Sequence, residues 1–73
     1  MTKIEFFDAV NELLELDPGT ISDATELKTI NEWDSLAKLS VVAFLDSQFD
    51  VFLSGDKLEK IATGSDLADL AGL

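Results

Sequence analysis

Residues 34–49 read Asp34-Ser35-Leu36-Ala37-Lys38-Leu39-Ser40-Val41-Val42-Ala43-Phe44-Leu45-Asp46-Ser47-Gln48-Phe49, without a Gly or a Pro. This run predicts a helix over 35–49. Asp34 is the expected N-cap, because its short carboxylate accepts a backbone N–H that the helix start leaves unpaired. At about 100° per residue, Val41, Val42, Leu45 and Phe49 fall on one stripe, which is assigned to the core. Lys38 shares that angle near the helix start, so it must snorkel or sit beyond the core's edge. Leu36, Leu39, Ser40, Ala43 and Ser47 fall on a second, partly apolar face that needs a covering partner or a function. Phe44 belongs cleanly to neither face and is expected to widen the apolar contact surface.

Upstream, Phe6, Val10, Leu13 and Leu14 recur at spacings of three and four, with Ile4 and Phe7 alongside. They predict an amphipathic helix between Thr2 and Leu16. Thr2 and Glu5 have capping-box spacing. Asp17-Pro18-Gly19 is the expected stop, since proline disfavours helical backbone in the residue before it. Residues 18–33 have no sustained period. Their four spaced anchors, Ile21, Leu27, Ile30 and Trp33, favour an ordered loop over a linker. A short helical turn is expected within 23–29.

Downstream, Val51-Phe52-Leu53 reads as a short apolar tether. A brief helix is expected over 56–61 with Leu58 and Ile61 inward. Thr63-Gly64 should break it. Ser65 then caps a last helix that turns Leu67, Leu70 and Leu73 inward. Residues 1–73 therefore read as a single all-α domain, a four-helix bundle of three main helices and one short helix with a long first loop.

Composition narrows the function. Fifteen Asp and Glu residues face five Lys, with no Arg and no His, for a net charge of −10. Nucleic acid and anionic membrane surfaces would repel such a chain, so neither is an expected partner. There is no Cys, which excludes disulfides and thiolate metal sites. Without His or Cys the common nucleophile–base pairs cannot be assembled, and the four glycines are too isolated to cradle a phosphate. Non-enzymatic function is the expectation. The N-terminus lacks the basic flank and apolar run of a signal peptide, and no apolar stretch approaches the roughly 20 residues of a membrane span. A cytoplasmic monomer is expected.

Trp33-Asp34-Ser35-Leu36, at the mouth of the central helix and after a long loop, resembles the acyl and peptidyl carrier proteins. Their shared feature is Asp-Ser-Leu at that position. The resemblance extends to the helix lengths, to Phe49-Asp50 closing the central helix, and to Glu59-Lys60-Ile61-Ala62-Thr63 before the last helix. It implies that Ser35 bears a 4′-phosphopantetheine arm. A separate phosphopantetheinyl transferase would install that arm with magnesium and coenzyme A. It further implies a thiol at the arm's end that holds acyl cargo as a thioester, with acyl-loading and acyl-transferring enzymes as partners. Asp34, Leu36, Leu39, Ser40, Ala43 and Ser47 are the candidate recognition residues around it.

Ser35 has no side-chain base of suitable pKa in this chain to activate it. A helix start offers positive potential to a phosphodiester, while Asp34 opposes it and can mark the site for an enzyme. Trp33 reads either as a core anchor or as a contact for the arm. In fatty-acid carriers the exposed face of the central helix is rich in acids; here it carries Ala37, Ser40, Ala43 and Ser47 with Lys38. Nine acids and two Lys precede Ser35, whereas six acids and three Lys follow it. That departure points to a specialised pathway rather than housekeeping fatty-acid synthesis. A peptidyl or amino-acyl carrier stays open as an alternative, as does an unmodified acidic helical interaction module.

Overall fold

Thr2 starts the first helix through a complete capping box. Its hydroxyl accepts from the Glu5 N–H at 3.2 Å, and the Glu5 carboxylate accepts from the Thr2 N–H at 2.8 Å. Those bonds, from the Thr2 backbone first, hold the Glu5 carboxyl below its ordinary pKa. The computed structural model describes every residue of 1–73 except Gly55. Among the described residues the chain is all-α: α1 spans Lys3–Leu13, α2 Ser35–Phe49, α3 Gly55–Lys60 and α4 Gly64–Leu70. The long first loop holds one 3-10 turn, Leu27–Thr29, inside the expected window.

The first helix ends earlier than its sequence predicts. Glu15 adopts left-handed backbone (φ 59°), and Leu16 N–H donates to the Asn11 carbonyl at 2.7 Å. Glu15 N–H donates to the Glu12 carbonyl at 3.1 Å, so carbonyls of the last turn are satisfied before Pro18 is reached. Leu13 and Ile4, expected near the core, are exposed. Asn11 takes an inward position instead, 2% exposed. Its Oδ1 accepts from Ile21 N–H at 2.9 Å and its Nδ2 donates to the Ile21 carbonyl at 3.3 Å. A single side chain thus replaces a strand partner for Ile21 and fixes where the loop enters the core. Asn11→Ala leaves those buried backbone groups unpaired and should destabilise the fold by about 2 kcal/mol. Chemical denaturation checks this, and Asn11→Asp should be damaging too, because a carboxylate cannot donate to the Ile21 carbonyl.

The core joins Phe6, Phe7, Val10, Ile21, Leu27, Val41, Leu45, Leu53, Leu58, Leu67 and Ala68. Ile21 and Leu27 are 1% exposed, so the loop anchors act as predicted. Phe44 does not widen an outer surface. Its ring lies 6.0 Å from Phe6 and 5.8 Å from Phe49, and both of these pack edge-on to each other at 5.7 Å. Ala37, expected on the outer face, is buried against the bundle.

The last helix is capped by Thr63, not Ser65. Thr63 Oγ1 accepts from Asp66 N–H at 3.3 Å, while Asp66 Oδ2 accepts from the N–H groups of Ala62 and Thr63. Those backbone donors, Ala62 first, lower the Asp66 pKa. Ser65 is free for another bond: its N–H donates to the Asp23 carbonyl, and Gly64 N–H donates to that of Thr25, each at 3.0 Å. With Leu27 N–H donating to Ala62 O at 2.9 Å, these bonds stitch the long loop to the start of α4. This is why sixteen residues without a period stay ordered.

Candidate functional site

The site forms where the loop hands over to α2. Trp33, half-buried against the core, anchors the loop's end, which favours the core reading of this residue. Asp34 is extended (φ −113°, ψ −173°), and its Oδ1 accepts from Ala37 N–H at 2.9 Å. The cap therefore directs the chain into the helix and leaves Ser35 as its first residue, exposed to solvent. Ser35 thus combines an exposed side chain with a place in the first turn of the longest helix, where backbone N–H groups lack intrahelical partners.

Two depressions flank this helix start. One, of about 500 Å³, opens between α2, the 51–54 tether and α3, and Ser35, Leu39, Val42, Phe52 and Leu58 line it. The tether explains its shape. Leu53 is 5% exposed and pins the backbone down, while Phe52 beside it points outward, 81% exposed. The other depression, of about 250 Å³, lies on the α1 side and includes Leu36, Ser40, Glu15, Glu32 and Asp34.

Comparison with family models, with curated proteins and with solved structures finds no match to this chain. The site therefore stands on its own geometry.

Leu36, Leu39, Ala43 and Ser47 are all exposed, and Ser40 is half-buried. The structure divides them: Leu39 borders the groove that Ser35 opens onto, whereas Leu36 and Ser40 border the acidic depression. Ala43 and Ser47 lie farther along α2, where Ser47 Oγ donates to the Phe44 carbonyl at 3.4 Å. Lys38 snorkels across the groove's edge, its Nζ 3.9 Å from Glu59 Oε1 on α3. Sequence reasoning missed Phe52, whose alternation with Val51 and Leu53 was the available signal. It also missed that Glu15 and Glu32 join Asp34 around Leu36, because Glu15 follows the end of α1, far along the chain from the other two. Among the described residues no helix is long and apolar enough to cross a membrane.

Proposed function

We propose that this chain is an acyl carrier protein of a specialised pathway, with Ser35 as the attachment point of 4′-phosphopantetheine. The observation that carries the reading is the exposed Ser35 hydroxyl at the mouth of the apolar groove, behind the Asp34 cap. An arm fits these residues: its phosphodiester would meet the positive end of α2, and its chain would follow Leu39, Val42 and Phe52. In loading, Ser35 Oγ bonds to the phosphorus that bears pantetheine in coenzyme A. The bond from that phosphorus to the bridging diphosphate oxygen breaks, adenosine 3′,5′-bisphosphate leaves, and the hydroxyl proton passes to a base on the transferase. The attached group supplies a thiol that holds the cargo as a thioester. Intact mass after incubation of the apo protein with coenzyme A and a broad-specificity transferase tests the assignment, and an unchanged mass would sink it.

Partner choice follows from the same surface. Leu36 is an apolar anchor, 73% exposed, with Glu15, Glu32 and Asp34 around its depression. A partner enzyme with an apolar pocket and a basic rim fits this arrangement, since anchors set affinity and rim charges mainly set association rate. Leu36→Ala should weaken binding to a cognate transferase by about 1–2 kcal/mol. Titration calorimetry checks this, with Ser47→Ala as a variant expected to bind normally.

A further inference from the structure

Three of the five lysines in this acidic chain converge on one pocket. Lys28 reaches it from the first loop, Lys38 from α2 and Lys60 from α3, around a volume of about 320 Å³ walled by Trp33. Glu59 is the single acid among its lining residues. Lys38 spans to that Glu59 at 3.9 Å, while among the described residues Lys28 and Lys60 form no ion pair. Salt at physiological strength screens charges beyond about 8 Å, so the distant part of the net charge of −10 counts for little at the pocket. The lining itself is therefore net cationic, three Lys against one Glu, on an anionic protein.

Its position gives that charge a use. Lys38, Leu58 and Glu59 line both this pocket and the groove onto which Ser35 opens, so the two adjoin. A purely aliphatic acyl group would end in a methyl that gains by staying in the apolar groove. An acyl group with a free carboxylate at its far end gains by reaching the lysines. We infer that the pocket is an anion subsite, and that the cargo is an acyl group carrying a second, free carboxylate; the cargo assignment rests on Ser35 as the point of attachment. Trp33 lines one side of the subsite. Lys38 can exchange Glu59 for the cargo carboxylate, so occupancy would loosen the α2–α3 contact at the groove's edge.

Trp33 is the chain's single tryptophan and reports on the pocket directly. The first arm of the test uses apo protein, titrated with glutarate or with pentanoate while Trp33 emission is followed. Glutarate should give a saturable change that weakens with salt, and pentanoate should not. Lys28→Gln with Lys60→Gln should weaken glutarate about tenfold, at roughly two- to fivefold for each exposed charge contact. Lys3→Gln with Lys57→Gln removes equal charge away from the pocket and should change affinity less than about twofold. Melting curves establish that both double variants fold. No response to glutarate, or one that survives Lys28→Gln with Lys60→Gln, overturns the subsite. The second arm compares holo protein charged with a glutaryl or a pentanoyl group, and Trp33 emission should shift for glutaryl alone. Identical emission for the two overturns the cargo class. Failure of the carrier reading looks different: the mass stays at the apo value even though the apo titration is intact, and the cargo class falls with it.

Discussion

Ser35→Ala should abolish phosphopantetheine attachment completely, leaving the intact mass at the apo value under conditions that convert all of the wild type. The size of the effect follows from the chemistry, because in the proposed carrier the new bond would form at Ser35 Oγ and alanine has no nucleophile there. The fold should be untouched, since Asp34 supplies the cap of α2 and the Ser35 side chain is exposed. Ser40 and Ser47 lie on the same helix and are the strictest internal controls. Neither stands at a helix mouth, and Ser47 Oγ is engaged with the Phe44 carbonyl. Peptide mapping of the wild-type adduct should find the whole mass gain on the peptide that contains Ser35. An arm found on Ser40, Ser47 or any other serine, or a Ser35→Ala protein that still gains it, would refute the assignment. Asp34→Asn keeps a capping oxygen while removing the charge, so it should retain stability and report whether the transferase reads the carboxylate.

Gly64→Ala should cost about 3 kcal/mol or more, a large share of the roughly 4–11 kcal/mol expected of a chain this size. Gly64 is buried at the first turn of α4, where a Cβ would run into the backbone carbonyl of Ser22 and sit 3.3 Å from Phe7 Cε1. A side chain in the way can rotate, but a backbone carbonyl has to move with its segment. Moving it pulls Thr25 and Asp23 away from the N–H groups of Gly64 and Ser65, so the added methyl also threatens two hydrogen bonds. Urea denaturation should show a lower midpoint, while Ala62→Gly, exposed and two residues away, should cost under about 1 kcal/mol. A Gly64→Ala midpoint equal to the wild type would mean that the loop is not held against α4. Loosening of the loop should also reach Trp33 and Ser35, because the same segment that Gly64 admits ends at the mouth of α2.

The sequence by itself determined the features that depend on neighbours three or four residues apart. Asp34 and the uninterrupted run to Phe49 specify α2, and Thr2 with Glu5 specifies the start of α1, because caps and helical faces are local properties. The anchors Ile21, Leu27, Leu58 and Leu67 were legible for a related reason: large apolar groups on a short chain have one core to enter. The position of Ser35 on the helix was legible too, since it follows from the cap. Tertiary structure alone decided what distant segments do to one another. Asn11 reads as a polar helix residue until Ile21 arrives beside it. Gly64 reads as punctuation until the Ser22 carbonyl occupies the space of its missing side chain. Phe44 faces neither stripe cleanly, and the rings of Phe6 and Phe49 settle its place. The lysines at 28, 38 and 60 look scattered along the chain, and their common pocket exists because the loop, α2 and α3 close around Trp33. No local pattern encodes such a meeting, since it depends on packing distances between segments that the chain fixes only when it folds.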